Sequence, residues 1–185
     1  DSTRDLVYLV GQNGVFGAYN DSTNVTSDLR ATDPGNWIDT NIIYSLTYDS
    51  KRNLIYMGIR SNTFAVYNAS TNVTTDLSGT DAGNWIGDAN FFGTFVLITR
   101  LVYDPDRDLI YLGFDLSGSG ILPDKLGVYN ASTNVTSNLT GTIPVEWRGT
   151  DKYFLSLAYD SRRGLIYLGG NSGIFGYYNA SIQTG

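Results

Sequence analysis

Short apolar runs alternate with turn residues along the chain. In one segment the runs are Ile43 to Tyr48, Leu54 to Ile59, Phe64 to Tyr67 and Val73 to Leu77. Clusters of Asp, Asn, Ser and Gly separate them, a pattern typical of short strands joined by tight turns. We name these four predicted strands A, B, C and D. Strand B is apolar throughout, which predicts a strand buried on both faces.

The pattern recurs along the chain. A segment of the form Asp-x-x-Arg-x-Leu-(Val/Ile)-Tyr begins at Asp1, Asp49, Asp104 and Asp160, with spacings of 48, 55 and 56 residues. The predicted repeats are about 1–41, 42–94, 95–152 and 153–185. Four B and four C strands are visible, but three A and three D strands. The first repeat lacks strand A and the last lacks strand D.

A tandem unit of four strands predicts an all-β fold, a β-propeller of about four four-stranded blades with incomplete terminal blades. We expect a single domain over residues 1–185. The terminal blades are either short blades of a small ring, or are completed by a partner chain or by more of a larger propeller. Open strand edges invite pairing with another copy.

The composition supports this fold and narrows the function. Strong helix formers are scarce, with one Glu, two Gln, three Lys and nine Ala in 185 residues. A net charge of −6 without a basic run is unsuited to nucleic acid, and no apolar stretch is long enough for membrane insertion. The chain has no His and no Cys, which removes imidazole bases, thiolate nucleophiles and the usual zinc ligands. We expect no catalytic residue, metal or cofactor.

Two segments carry a resemblance to a known family. Tyr-Asp-Pro-Asp-Arg-Asp-Leu-Ile-Tyr-Leu-Gly, from Tyr103, and Gly-Val-Tyr-Asn-Ala-Ser-Thr-Asn-Val-Thr, from Gly127, resemble the YVTN-type propeller repeats of archaeal and bacterial surface-layer proteins. They are more loosely similar to the propeller repeats of two-component sensor ectodomains, which usually carry Trp where this chain has Tyr56 or Tyr111. The resemblance covers nearly the whole chain and implies fold more strongly than function.

Asn-x-Ser/Thr sequons are frequent, and all of them lie in or beside the predicted C–D turns. They predict covalent N-glycans on an extracellular or cell-surface protein. Asn, Ser and Thr also make good turns, so the same residues have a purely structural interpretation. The sequons begin at Asn20, Asn24, Asn68, Asn72, Asn130, Asn134, Asn138 and Asn179.

The connections sort onto two faces of the predicted disc. The A–B and C–D turns share one face, while the B–C and D–A loops share the other. Two seven-residue insertions fall on the second face, around Asp88 to Gly93 and Asp115 to Asp124. Because binding residues often lie on such loops, we predict a partner- or ligand-binding face there. Its candidate residues are Trp37, Trp85, Phe91, Phe92, Asp115 and Trp147. A Trp that recurs once per repeat also fits a wedge between neighbouring blades, the interpretation we favour.

Acidic residues suggest two further chemistries, both weaker. Asp104, Asp106 and Asp108 resemble the start of a calcium loop, but the sister turns do not keep all three acids, so we expect a hydrogen-bonded turn. Paired carboxylates suffice for glycoside hydrolysis, but the sequence brings no two together. The candidates for such a pair are Asp88, Asp115, Asp124, Glu146 and Asp151.

The sequence therefore predicts a non-enzymatic extracellular glycoprotein. We expect a structural subunit of a surface layer, filament or other assembly, self-associating as a homo-oligomer or polymer through propeller faces and open strand edges. The alternative is a carbohydrate- or ligand-binding propeller module, such as a lectin-like domain or a sensor ectodomain. The two differ in whether the Trp-bearing face is buried against another copy or left open.

Overall fold

The computed structural model of the chain describes residues 1–30, 41–60, 63–78, 97–115, 125–147 and 154–182, and its regular structure there is almost entirely β. The strands are β1 (Leu6–Val10), β2 (Phe16–Asn20), β3 (Val25–Asp28), β4 (Ile43–Asp49), β5 (Leu54–Ile59), β6 (Thr63–Asn68), β7 (Val73–Asp76), β8 (Leu97–Asp104), β9 (Leu109–Asp115), β10 (Lys125–Asn130), β11 (Val135–Asn138), β12 (Phe154–Asp160), β13 (Leu165–Gly170) and β14 (Phe175–Asn179). Short 3₁₀ helices span Thr140–Thr142, Val145–Trp147 and Ala180–Ile182. No helix in these ranges is long and apolar enough to cross a membrane.

The strands form four separate antiparallel sheets in chain order. We call them sheet 1 (β1-β2-β3), sheet 2 (β4-β5-β6-β7), sheet 3 (β8-β9-β10-β11) and sheet 4 (β12-β13-β14). Within each sheet, every strand pairs with the strands that precede and follow it in the sequence. Each sheet lies within one predicted repeat. The predictions of an all-β chain and of incomplete first and last units are confirmed, since sheets 2 and 3 have four strands and sheets 1 and 4 have three.

The sheets pack against one another in chain order, and the first strand of each sheet contacts the first strand of the next. Strand β1 contacts β4, β4 contacts β8, and β8 contacts β12. An apolar core fills each of the three spaces between sheets. Phe16 and Met57 lie in the first, Phe64 and Leu112 in the second, and Tyr111 with other buried residues in the third. This order of sheets is consistent with neighbouring blades of a propeller.

A β-bulge recurs in the first strand of sheets 2, 3 and 4. The pairing register shifts between Ile43 and Ser45 in β4, and at the equivalent points of β8 and β12. Beyond the bulge, the Ser45 hydroxyl donates a hydrogen bond of 2.9 Å to the carbonyl of Ile98 in sheet 3. A bulge bends its strand and redirects a side chain, so this one lets a polar side chain reach the next sheet.

The burial of the B strands differs between inner and outer sheets. Strand β5 is buried along nearly its whole length, as predicted for a strand covered on both faces. The prediction is wrong for β1, where Val7 and Leu9 are 52% and 44% exposed. These two side chains lie on the face of sheet 1 that is turned away from sheet 2, whereas the equivalent Ile55 and Met57 are buried between sheets 1 and 2.

Candidate interaction surfaces

An Asp–Arg turn precedes the B strand of every sheet. In sheet 2, the Asp49 carboxylate accepts hydrogen bonds from the backbone N–H groups of Lys51 and Arg52. It also forms an ion pair with the Arg52 guanidinium at 2.8 Å. Asp49 is fully buried, so these partners replace the hydrogen bonds that water would otherwise supply. The same arrangement occurs at Asp1, Asp104 and Asp160. The recurring aspartates are therefore turn caps, as the sequence predicts.

The last residue of this turn has a left-handed backbone in every repeat. The φ angles are 52° at Asp5, 62° at Asn53, 64° at Asp108 and 64° at Gly164. Asp, Asn and Gly are the residues that adopt this conformation most readily. We call the last residue of the turn the turn-end position.

The turn arginines link neighbouring sheets in a series. Arg4 of sheet 1 donates to the Asn53 side chain and, at 2.8 Å, to the carbonyl of Ala69 in sheet 2. Arg52 of sheet 2 forms an ion pair with Asp108 of sheet 3. Arg107 of sheet 3 lies over Gly164 of sheet 4, with a guanidinium nitrogen 2.9 Å from where a Cβ would stand. Each arginine thus contacts the turn-end position of the next sheet.

The central contact of this series, between Arg52 and Asp108, joins two charged side chains. The hydrogen bond from Arg52 holds the pKa of Asp108 well below the usual range, and hydroxyls of Ser132 and Tyr103 donate to the same carboxylate. Burial, together with the hydrogen bond to Asp108, raises the pKa of the Tyr103 hydroxyl. The carboxylate is therefore ionised throughout the physiological range and fixed between two sheets.

We expect the Asp108→Asn variant to lower the free energy of unfolding at neutral pH by about 1–2 kcal/mol, after allowing for solvent screening. Because the pKa of Asp108 is depressed in the folded state, its stabilisation is present above about pH 4 and is lost as the pH falls through the folded-state pKa. Urea unfolding between about pH 7 and about pH 2 measures this. The wild type should lose stability below about pH 4 more steeply than the variant. Parallel curves would contradict the assignment.

The two ends of the arginine series are exposed. Asp5, at the turn-end position of sheet 1, is exposed and accepts a hydrogen bond from the Ser22 hydroxyl of the same sheet. The Arg163 side chain of sheet 4 is 69% exposed and forms an ion pair with Asp160 in its own turn. Arg52, by comparison, is 33% exposed and contacts two sheets. We did not predict this series from the sequence. The signal that could have revealed it is the Arg at the same position of all four repeats.

An aromatic pair is repeated on the sheet face that looks toward the next sheet. In sheet 2, the rings of Tyr56 and Phe64 stack with centroids 5.8 Å apart. In sheet 4 the equivalent Tyr167 and Phe175 also stack, at 6.3 Å. Phe64 is fully buried against sheet 3, whereas Phe175 is 76% exposed. The outer face of sheet 4 is therefore apolar and aromatic but open.

A third tyrosine covers the aromatic residues at each internal contact. Tyr129 of sheet 3 lies 5.7 Å from Tyr56 and 5.2 Å from Phe64 of sheet 2. Tyr67 of sheet 2 packs on Tyr8 and Phe16 of sheet 1, and Tyr178 of sheet 4 on Tyr111 of sheet 3. The equivalent residue of sheet 1 is Tyr19, whose hydroxyl donates to Asn24 within its own sheet.

The outer face of sheet 1 also carries apolar residues. Val7 pairs with Tyr19, and Leu9 pairs with Gly17, so all four share this face. A groove of about 340 Å³ runs along it. Its lining residues include Leu9, Val15, Gly17, Thr26, Asp28 and Arg30. Sheet 1 therefore has an open apolar face that looks away from sheet 2, just as the open face of sheet 4 looks away from sheet 3.

The sequon asparagines have turn-forming roles in the structure. The Asn68 side-chain oxygen accepts hydrogen bonds from the backbone N–H groups of Ser70 and Thr71, and Asn130 does the same in sheet 3. Asn20 and Asn179 also cap their turns. These contacts use the amide oxygen, whereas a glycan is attached to the amide nitrogen.

The remaining sequon asparagines are exposed. Asn24, Asn72 and Asn134 occupy left-handed positions at the ends of the C–D turns, where each accepts a hydrogen bond from a tyrosine hydroxyl. The prediction that every sequon lies in or beside a C–D turn is wrong for Asn138, because this residue ends β11 and the length of that strand separates it from the turn. The A–B and C–D turns meet at one end of each sheet, since the Ala69 N–H donates to the Asn53 carbonyl and equivalent bonds recur.

The predicted Trp-bearing face is only partly described. Trp147 packs on the third core and covers Gly176 of sheet 4, where its ring occupies the space that a Cβ would need. This contact fits a wedge between neighbouring sheets. Asp115 closes β9, and its side chain lies outside the described residues. Trp37, Trp85, Phe91 and Phe92 lie outside them as well.

The acidic candidates do not come together where they are described. Asp104 caps its turn, Asp106 accepts a hydrogen bond of 2.7 Å from the Tyr159 hydroxyl, and Asp108 binds Arg52. No group of three or more possible metal-ligating side chains occurs in the described ranges. Glu146 is exposed, while Asp88, Asp124 and Asp151 lie outside the described residues.

The comparisons with known proteins show a similarity in fold only. No protein-family model matches the chain, and no curated protein sequence does. Among solved structures, the extracellular domain of the putative hybrid two component system BT4673 from B. thetaiotaomicron matches with a TM-score of 0.65 at 17% identity, over 97% of this chain and 20% of that one. A chain of the mitotic checkpoint complex matches with a TM-score of 0.63 at 14% identity, over 95% of this chain and 44% of that one. This chain thus spans a fifth of the length of the first neighbour and less than half of the second.

Proposed function

We propose that the four sheets are neighbouring blades of a β-propeller and that the protein is a non-enzymatic structural subunit of an extracellular assembly. One observation carries this proposal. In the stacked pair of sheet 4, Phe175 is 76% exposed and Tyr167 is half-buried, whereas both members of the equivalent pair in sheet 2 are buried under sheet 3. Monomeric proteins seldom leave a contiguous apolar patch of this kind open, since covering it with a partner is favourable.

The likeness in fold to a sensor's extracellular domain supports an extracellular location. The exposed sequons at Asn24, Asn72 and Asn134 support N-glycosylation at one end of the sheets. Glycans there would leave the outer faces of sheets 1 and 4 free for contact. A surface layer or a filament is the form of assembly that the resemblance to YVTN-type repeats favours.

Native mass spectrometry of the protein from its own source tests both parts of the proposal. We expect oligomers or polymers of the 20.3 kDa polypeptide, with excess mass in hexose steps on each copy. Phe175→Ser should shift the distribution toward monomer, because it removes an exposed aromatic side chain from the contact. Val145→Ser is the matched control, since Val145 is 73% exposed but belongs to the 3₁₀ helix Val145–Trp147 rather than to sheet 4. A bare monomer at every concentration would overturn the proposal.

The second candidate is a ligand-binding module such as a sensor ectodomain. The likeness to the extracellular domain of a putative two component system favours it. The groove on sheet 1 would then hold a small ligand. A glycan and metabolite panel screened by thermal shift on the monomer distinguishes the two candidates. Stabilisation of a monomer by a ligand supports this module, and concentration-dependent association without a ligand supports the structural subunit.

A further inference from the structure

We propose that two copies of this chain associate head to tail, with the outer face of sheet 4 in one copy packed on the outer face of sheet 1 in the next. This inference rests on the proposed structural function and specifies its interface. The contact would repeat, between copies, the packing that already joins sheets 1, 2, 3 and 4 within one copy.

The internal repeat identifies the occupant of each open face. Sheets 2, 3 and 4 each bury two apolar B-strand residues against the preceding sheet, and Val7 and Leu9 hold these positions in sheet 1. Sheets 1 and 2 each bury a phenylalanine against the following sheet, and Phe175 holds this position in sheet 4. The face that fits sheet 1 is therefore of the sheet 4 type, and a second copy supplies it.

The aromatic contacts fix how the faces would meet. At every internal contact a tyrosine of the later sheet lies on an aromatic residue of the earlier one, as Tyr129 lies on Tyr56 and Phe64. Tyr19 is the corresponding tyrosine of sheet 1, and Tyr167 with Phe175 is the corresponding pair of sheet 4. Between copies, Tyr19 would cover this stacked pair in the same way. Aromatic pairs of this kind add to the energy of apolar burial.

Charge complementarity points to the same arrangement. Arg163 is the fourth member of the turn-arginine series, and the acceptor for it would be a turn-end residue in a following sheet. Asp5 is the turn-end residue of sheet 1, and within the described residues its side chain bonds Ser22 rather than an arginine of a preceding sheet. In a head-to-tail contact Arg163 would meet Asp5 of the next copy, as Arg52 meets Asp108 within one copy.

A head-to-tail contact joins two different surfaces, so it forms rings where the rotation closes and open polymers where it does not. Two copies would bring eight sheets together, a number within the range of known propeller blades. Either outcome uses the same interface. If a closed ring forms, the number of copies in it gives the rotation that relates one copy to the next.

Charge reversal across the interface tests the inference by sedimentation velocity of the purified chain over a concentration series. We expect Arg163→Glu and Asp5→Lys each to weaken association by about 10- to 100-fold. The double variant should restore it, because the introduced carboxylate of one copy would then meet the introduced ammonium group of the next. Arg162→Glu is the matched control: it makes the same charge change one residue away, and it should have little effect.

The outcomes separate this inference from the proposed function. A wild type that stays monomeric overturns both. A wild type that associates, with Arg163→Glu no weaker than Arg162→Glu and no rescue by the double variant, overturns the head-to-tail interface alone. Far-UV circular dichroism of each variant establishes that it is folded, and rescue in the double variant excludes a folding defect as the cause of weaker association.

Discussion

Replacement of Phe64 by alanine is expected to lower the free energy of unfolding by about 3–5 kcal/mol. Phe64 is fully buried between sheets 2 and 3, where its ring stacks on Tyr56 and meets Tyr129 edge to face at 5.2 Å. Its loss leaves a cavity between the two sheets that the surrounding side chains close only in part. The lost burial and the cavity both contribute to the cost.

Phe175→Ala is the matched control within the same molecule. Phe175 occupies the equivalent position in sheet 4 and stacks on Tyr167, but it is 76% exposed. In dilute monomer we expect a change of about 0.5 kcal/mol or less. Urea unfolding of the two variants, followed by tryptophan fluorescence, gives the comparison. Similar losses in both variants would mean that the outer face of sheet 4 is covered in the monomer, contrary to the structure.

The strands and their turns were predictable from the sequence because both depend on near neighbours. The apolar run Leu54 to Ile59 forms β5 with these bounds. The Asp–Arg turn was also predictable, since Asp49 caps residues two and three positions away. The left-handed residue at the end of the turn follows from the small set of residues that tolerate this conformation.

Contacts between sheets were not predictable in the same way. Arg52 and Asp108 are 56 positions apart, and each is an ordinary turn residue when considered alone. The exposure of Val7 depends on which sheet covers its face, and its sequence context is nearly that of the buried Ile55. The Trp wedge is the exception, because a Trp that recurs once per repeat already pointed to a contact between neighbouring sheets, and Trp147 fits this role beside Gly176. The ion pair and the exposure of Val7 depend on the order of the sheets in space, which local patterns do not encode.

Replacement of Gly58 by alanine is expected to cost about 3 kcal/mol or more, a large effect for a single methyl group. A Cβ at this position would collide with the backbone carbonyl of Ile98 in sheet 3. It would also stand 2.6 Å from the Ser45 hydroxyl and 2.7 Å from a methyl group of Ile98. The carbonyl cannot rotate away without breaking its strand, so sheet 2 must move away from β8 and the Ser45 hydrogen bond to Ile98 is lost.

The glycines at the equivalent position of the other sheets provide a graded series. At Gly113 the nearest atom is the Arg100 Cβ at 3.1 Å, and at Gly169 it is the Ser156 hydroxyl at 2.6 Å. The Ser156 hydroxyl can rotate away, and the Arg100 Cβ, although fixed to its backbone, is close enough to need only a small shift, so alanine at either position should cost about 1 kcal/mol. Gly141→Ala, with nothing within 4 Å, should change stability by about 0.5 kcal/mol or less. Thermal and urea unfolding of the four variants test the order. A Gly58→Ala protein as stable as Gly141→Ala would show that the close approach of sheets 2 and 3 at the bulge is wrong.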